Sequence, residues 1–180
     1  MEKTWFKLST AATAAGLNVA TVRGWIGKGW VFPEETRLAY KAGATHYIDE
    51  DGARRLAIMG RLQRLGIPGL RAFHASAMFL DVGEMMVSDN RGEPESPRGY
   101  PARQPGDLFP EGQTFLVCPP GDEVSYVINV RPGEDLGTAL INSSNRARID
   151  TAAIVHLNAV IQEIDERLEI ARQSPDDADE

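Results

Sequence analysis

A segment rich in proline and glycine divides the chain. Residues 83–112 hold five prolines and five glycines but few large apolar side chains. Proline removes a backbone donor and glycine increases the entropy lost on ordering, so this composition does not favour the interior of a helix or sheet. We therefore predict a linker over residues 81–112, between an N-terminal domain (1–80) and a C-terminal segment (113–180).

The two sides of this segment differ in charge. Residues 1–80 carry 11 Lys and Arg against 6 Asp and Glu, a net +5, whereas residues 81–180 carry 8 against 20, a net -12. Clustered cations favour a polyanion such as DNA, because they displace its condensed counterions. The acidic part is expected to face solvent, another protein or a small ligand.

The composition argues against several classes of protein. No run of about 18 apolar residues is available for a membrane helix, and the N-terminus lacks the apolar core of a secretory signal. Cys118 is the only cysteine, which excludes an intramolecular disulfide and a multi-thiolate metal site. No catalytic or nucleotide-binding motif occurs. We expect a cytoplasmic protein without membrane contact, enzymatic activity, cofactor or metal.

Two short helices with a tight turn are predicted near the N-terminus. Ser9 is the predicted N-cap of a helix over Thr10–Ala15, which ends at Gly16. Asn18 is the predicted cap of a second helix, from Val19 to about Gly27. The apolar residues of this second helix recur at helical spacing: Val22, Trp25 and Ile26. Together these elements form a helix-turn-helix.

A hairpin and two further helices are expected next. Glycine and proline punctuate residues 28–48, with extended pieces at 30–32 and 46–48. Asp49 should begin a third helix that ends at Gly66, and Pro68 should lie in the first turn of a fourth. The predicted apolar stripes are Ala53, Leu56, Ala57, Leu62 and Leu65 in the third helix, and Leu70, Phe73, Ala77 and Leu80 in the fourth.

The C-terminal segment combines strands with one long helix. Strands are predicted at 114–118 and 124–130, and an extended piece at 135–142. A helix over 149–173, capped by Asp150, precedes an acidic tail. This helix carries a coiled-coil pattern in Ile154, Leu157, Ile161, Ile164 and Leu168. The pattern indicates either a homodimer seam or packing of the helix on its own domain.

The ordered N-terminal motifs resemble MerR-type winged helix-turn-helix regulators over residues 5–80. The similarity rests on Phe6-Lys7-Leu8-Ser9, Ala15-Gly16-Leu17-Asn18, Ala20-Thr21-Val22-Arg23-Gly24-Trp25, Gly43-Ala44-Thr45-His46-Tyr47-Ile48-Asp49-Glu50-Asp51 and Arg61-Leu62-Gln63-Arg64-Leu65-Gly66-Ile67. The predicted class is α+β: a mainly α winged helix-turn-helix domain, a proline-rich linker, a small β-containing segment and a C-terminal coiled-coil-like helix.

Nine residues are candidates for contact with double-stranded DNA. They are Asn18, Thr21, Arg23, Trp25 and Lys28 on the second helix, and Arg37, Lys41, His46 and Tyr47 in the wing. Polar residues near the start of a recognition helix commonly reach base edges. Arg23 is expected to contact guanine or a phosphate, and Lys28 the DNA backbone. Trp25 is equally compatible with core packing.

The sequence predicts a DNA-binding transcriptional regulator that acts as a homodimer. One alternative is a phage or plasmid architectural protein, similar to an excisionase or a small terminase subunit, that recruits a larger enzyme. Another is a protein-interaction module whose basic face binds an acidic partner. A ligand or protein partner at the acidic C-terminal part is also compatible with the sequence.

Overall fold

The chain folds into two compact units of mixed helix and sheet. A computed structural model describes residues 3–37, 45–83, 87–88, 94–95, 103–121, 123–143 and 151–173. One unit comprises Met1–Phe73 with Ala159–Glu180, and the other comprises His74–Asn158. This division differs from the expected boundaries at residues 80 and 112. The mixture of helices and small antiparallel sheets agrees with the predicted α+β class.

The helices and strands are short. In chain order they are β1 (Trp5–Lys7), α1 (Leu8–Ala14), α2 (Val19–Gly27), a 3-10 helix (Pro33–Glu35), β2 (Thr36–Arg37), β3 (Tyr47–Asp49), α3 (Glu50–Arg64), α4 (Gly69–Leu80), β4 (Val87–Ser88), β5 (Pro94–Glu95), β6 (Gln113–Cys118), β7 (Tyr126–Val130), α5 (Leu136–Ser143), β8 (Ala153–His156) and α6 (Leu157–Arg172). No helix among the described residues combines the length and apolar character needed to cross a membrane.

The start of α1 differs from the prediction, whereas that of α2 confirms it. α1 begins at Leu8, with Lys7 at the cap position and no side-chain cap, so Ser9 is not the N-cap. The Leu8 N–H instead donates to the carbonyl oxygen of His46 at 2.8 Å, because β1 leads directly into the helix. At α2, Asn18 Oδ1 accepts from the Ala20 N–H at 2.8 Å.

A three-stranded antiparallel sheet adjoins these helices, in the order β1-β3-β2. The strand pairing opposite β3 lies at Thr36–Arg37, so the prediction of a hairpin strand at 30–32 is wrong. The Trp30 N–H donates to the Trp25 carbonyl oxygen, and Gly29 has a φ of 71°. These features end α2. The chain therefore turns at this point, and residues 30–32 do not pair with a strand.

A buried ion pair connects the residue directly before β2 to α3. Arg55 is fully buried, and its Nη2 lies 2.7 Å from Oε1 of Glu35. Its Nε also donates to the same carboxylate at 3.0 Å. The guanidinium lies over the Phe32 ring, and that ring meets Phe73 edge to face at 5.4 Å. Burial raises the pKa of the Glu35 carboxyl, while the Arg55 hydrogen bonds oppose that rise.

The third and fourth helices occupy their predicted positions with two corrections. Asp49 caps α3 by accepting from the Gly52 N–H at 2.9 Å. Gly66 ends that helix with a φ of 84°. Leu65 and Leu70 are 54% and 51% exposed, so neither belongs to the apolar stripes. Both lie beside the turn between the two helices, where the helical pattern no longer faces the core.

The second unit contains a sheet in the order β7-β6-β8. β6 confirms the strand predicted at 114–118, and β7 lies within the segment predicted at 124–130. The extended piece predicted at 135–142 is wrong, because Leu136–Ser143 is helical. Asp135 stabilises the start of this helix by accepting from the Thr138 N–H at 2.9 Å.

The last part of the predicted linker is packed. Arg103 and Phe109 are 3% and 5% exposed. The Arg103 guanidinium donates to several main-chain carbonyl groups, among them that of Phe79 at 2.8 Å. The Phe109 N–H donates to the Thr114 hydroxyl. Arg103 and Phe109 are therefore packed within the second unit. Residues 84–86, 89–93 and 96–102 of the predicted linker lie outside the described residues.

The C-terminal helix begins later than the pattern predicted. Ala153–His156 pairs with β6 as strand β8, so Ile154 is a strand residue. Residues 149–150, including the predicted Asp150 cap, lie outside the described residues, as does the acidic tail. The other four stripe residues are only 0 to 7% exposed within the single chain: Leu157, Ile161, Ile164 and Leu168. Packing within the chain is thus the correct alternative, and a dimer seam on this stripe is wrong.

The acidic residues of α6 pair with arginines of the first unit. Arg54 makes a two-point contact with Asp165, with nitrogen–oxygen distances of 2.8 and 3.0 Å. Arg61 pairs with Glu163. These contacts raise the pKa of Arg54, chiefly through its hydrogen bonds to Asp165. The expectation that the acidic part faces solvent or a partner is therefore wrong for these carboxylates.

Removing one member of the buried ion pair should strongly destabilise the protein. We expect Arg55→Met to lower the free energy of unfolding by about 3–5 kcal/mol, because Glu35 remains buried without its cation. Denaturant titration measures the loss. The double variant Arg55→Met/Glu35→Leu should lose less than the single variant. The exposed-site control Arg64→Met should change stability by less than about 0.5 kcal/mol, and an equal loss in both single variants would contradict the assignment.

The α6 stripe gives a second stability prediction. Ile164→Ala should lower the free energy of unfolding by about 2–5 kcal/mol through lost burial and a residual cavity. The native mass should remain that of the wild type. Ile170→Ala, at a site 67% exposed, is the matched control on the same helix. A change of oligomeric state in Ile164→Ala without loss of stability would restore the dimer-seam interpretation.

Candidate nucleic-acid interface

The outer surface of α2 presents three of the five contact residues predicted on this helix. Thr21, Arg23 and Lys28 are exposed, with Lys28 at the C-cap of the helix. Val22, on the opposite face, is fully buried and fixes the inner side of the helix. α2 therefore has one face in the core and one face available to a ligand.

Trp25 belongs to the inner face. Its side chain is 4% exposed, so it is a core residue and is removed from the candidate contacts. Asn18 is exposed, but its Oδ1 already accepts from the Ala20 N–H. Its established role is therefore to start α2 at a fixed position.

A line of small residues runs along the outer face of α2. Ala20, Gly24 and Gly27 are all exposed and follow an i, i+4, i+7 spacing. A Cβ atom added to either glycine would meet no other atom within 4 Å. Packing therefore does not require glycine at these positions, although glycine disfavours a helix. Arg23 and Lys28 are five residues apart, or about 140° around the axis, and flank this line on its two sides.

Two basic side chains lie against tryptophan rings. Lys28 Nζ is 4.6 Å from the centroid of Trp30. The Arg37 guanidinium is 4.0 Å from the centroid of Trp5. Such contacts orient a cation and leave its charge in place.

The three-stranded sheet brings further residues together. Lys7 and Arg37 lie on the two strands that flank Tyr47, each directly opposite it in register. The buried residues Phe6 and Ile48 form the next cross-strand pair and mark the other face. We call the set of Trp5, Lys7, Arg37 and Tyr47 the outer sheet face. Cross-strand neighbours on one face lie close enough to contact one ligand.

Trp5 and Lys7 are absent from the residues predicted from the sequence. They alternate around Phe6, which is the two-residue period of a strand with one buried face. That signal is present in the sequence but spans only three residues. His46 is half-buried, and its carbonyl oxygen accepts from Leu8. Lys41 lies outside the described residues.

Three exposed cations differ in their pairing from three of the four arginines of α3. Within the parts of the chain that the structure describes, Arg23, Lys28 and Arg37 form no salt bridge. Arg54, Arg55 and Arg61 each pair with a carboxylate. The sequence from Lys3 to Pro33 contains four basic residues and no acidic one. Within the described residues, α2 and β2 thus carry cations without a salt bridge, as does Arg64 at the end of α3.

Comparisons with known proteins do not assign the chain to a family. No protein-family model matches it, and the search of curated proteins also gives no match. The MerR-type resemblance therefore stays a prediction from the motifs. Among the described residues, no group of three or more His, Cys, Asp or Glu side chains is arranged to hold a metal ion.

The exposed glycines of α2 give a direct stability prediction. Gly24→Ala should raise the free energy of unfolding by about 0.5–1 kcal/mol, because alanine favours the helix and its Cβ has open space. Gly52→Ala is the matched control in α3, where the added Cβ would lie 2.6 Å from Cγ1 of Ile48. Denaturation should show opposite signs for the two variants. Destabilisation by Gly24→Ala would mean that its outer face is not open.

Proposed function

We propose that this protein binds duplex DNA sequence-specifically, with the outer face of α2 in the major groove, and acts as a transcriptional regulator of MerR-like type. One observation carries the proposal: the exposed face of α2 combines Arg23 and Lys28 with a line of residues that have no bulk. A major groove about 12 Å wide admits a helix. A helix with glycine on its outer side can approach the groove floor closely.

The side chains at the two edges of this face have different proposed roles. The Arg23 guanidinium has the paired donors that fit O6 and N7 of guanine, so we assign it base contact. Thr21 lies in the first turns of the helix and offers a hydroxyl to a base edge or phosphate. Lys28, at the helix end, supplies a point charge for a phosphate.

The outer sheet face supplies additional backbone contacts in this proposal. Arg37 and Lys7 contribute charge, and Tyr47 contributes a hydroxyl that can donate to a phosphate oxygen. Such contacts fix orientation without reading sequence. Lys41 and His46 remain predicted contributors from the same hairpin.

The oligomeric state separates the proposed regulator from its main alternative. A homodimer remains a prediction, but it requires a surface other than the buried α6 stripe. The alternative of an architectural DNA-binding protein differs from the regulator in the assembly that it predicts. Native mass measurement distinguishes them: a dimer supports the regulator, whereas a ring of eight or more supports a packaging role.

The first experiment is selection of bound fragments from the source genome, repeated at several salt concentrations. Enrichment of a common sequence supports specific recognition. Affinity should fall as salt rises, because phosphate contacts release counterions. Binding that is independent of salt, or no enrichment at any salt concentration, would contradict the proposal and favour the protein-interaction module.

Arg23 gives the sharpest substitution. Arg23→Ala should weaken binding to the selected site by about 1–3 kcal/mol and relax its sequence preference, because one base contact is lost. Fluorescence anisotropy with cognate and scrambled duplexes measures both effects. Arg131→Ala, an exposed arginine of the second unit, is the charge-matched control. Equal losses in the two variants would remove Arg23 from the base contacts.

Gly24→Ala separates binding from folding. This variant should be more stable than the wild type yet bind the selected duplex less tightly, because its methyl group occupies the face that approaches the groove. Improved stability with unchanged affinity would show that the glycine face does not meet DNA.

A further inference from the structure

An open cleft lies between α1 and α6, which both belong to the first unit. Its volume is about 680 Å³, within the range of sites that bind small molecules. Three residues of α1 bring hydroxyl groups to the cleft: Ser9, Thr10 and Thr13. α6 contributes Arg167 and Ile170. The α1 side of the cleft is thus mainly polar, and the α6 side combines a cation with an apolar side chain.

Two contacts hold the Arg167 guanidinium at the cleft. Its Nη1 donates to the carbonyl oxygen of Ala14, the last residue of α1, at 2.8 Å. Its Nη2 lies 2.6 Å from Oε1 of Glu163, one helical turn earlier on α6. A guanidinium has five N–H donors, of which these contacts within the described chain occupy two. The other donors can bind a ligand without breaking either contact, and a cation that is already held in place loses little entropy on binding.

The ion pairs around Arg167 leave an excess of positive charge beside the cleft. Glu163 also pairs with Arg61 of α3, so one carboxylate lies between two guanidinium groups. Two positive charges and one negative charge give this cluster a net charge of +1. No acidic side chain is among the described residues that line the cleft. A ligand with a single negative charge would compensate the excess.

The other lining residues define what the rest of the ligand must be. Ser9 and Thr13 are exposed and lie one turn apart on the same face of α1, so both hydroxyls can donate to one ligand. Ile170 is 67% exposed, and with the neighbouring Ala171 it gives the cleft an apolar surface. Removal of that surface from water favours binding of an apolar group. The ligand therefore combines an acceptor group with an apolar body.

We propose that the cleft between α1 and α6 binds a small organic acid, with the carboxylate at Arg167 and the α1 hydroxyls and the apolar body against Ile170. The guanidinium and the hydroxyls donate hydrogen bonds, and an ionised carboxylate accepts them. A carboxylate matches the single excess positive charge better than a phosphate dianion does. The site does not rest on the proposed function, because none of its residues is among the proposed DNA contacts.

Titration of the full chain with two such acids, octanoate and phenylacetate, tests the site. In nitrogen-15-labelled protein, the amide shifts of Ser9, Thr13 and Ile170 should change and reach saturation. Acetate has the anionic group alone and octanol the apolar tail alone, so each should bind about tenfold more weakly than octanoate or less tightly still. Absence of saturable shifts at these residues with both acids overturns the proposal. Equal affinity for octanol and octanoate overturns it as well, because the carboxylate would then contribute nothing.

Arg167→Gln should weaken octanoate binding about tenfold or more, because it removes the charge-assisted hydrogen bonds. Arg172→Gln is the matched control, since both arginines lie on α6, pair with carboxylates and have side chains that are 47% exposed. This control should bind octanoate as the wild type does. Equal losses in the two variants would mean that net charge alone determines affinity, which contradicts a site at Arg167.

Thr13→Val tests the cleft with Arg167 and its contacts left in place. It keeps the shape of an exposed side chain but removes the hydroxyl, and octanoate affinity should fall about two- to tenfold. Unchanged affinity in both Thr13→Val and Arg167→Gln overturns the proposal. Shifts at Ser9 and Thr13 with duplex DNA but with neither acid would assign the cleft to DNA phosphates, which also overturns it.

Discussion

The buried ion pair between Arg55 and Glu35 is the constraint on which the first unit depends. Glu35 directly precedes β2, so its contact with α3 fixes the strand that carries Arg37. A charged pair without solvent needs both members, since one alone would remain buried and uncompensated. The rings of Phe32 and Phe73 flank the guanidinium, and both members of the pair are buried. The position of the outer sheet face is thus set by an interaction in the core.

Ionic interactions also divide the basic residues into two groups. Arg54, Arg55 and Arg61 of α3 serve the fold, because each pairs with a carboxylate within the first unit. Those on α2 and β2, Arg23 and Arg37, keep their charge available to a ligand. The net positive charge of the N-terminal sequence is therefore larger than the part of that charge that remains available to nucleic acid. Its distribution in space is more informative than its sum.

Local signals allowed part of this structure to be predicted from the sequence. Asn18 and Asp49 cap their helices as expected, because capping depends on neighbouring residues only. The β8 strand was missed because Ile154 and Leu157 continue a helical spacing, while the pairing with β6 is a contact distant in sequence. The residue pattern of the short helix α2 is compatible with Trp25 on the inner or the outer face. Only tertiary packing decides that its side chain lies in the core.

We propose that DNA meets the outer face of α2 together with the outer sheet face. Amide chemical shifts recorded during titration with the selected duplex test this most directly. We expect the largest changes at residues 20–28 and at Arg37 and Tyr47, with little change in β6 or β7. Changes confined to the second unit, or none when the duplex is in excess, would contradict it.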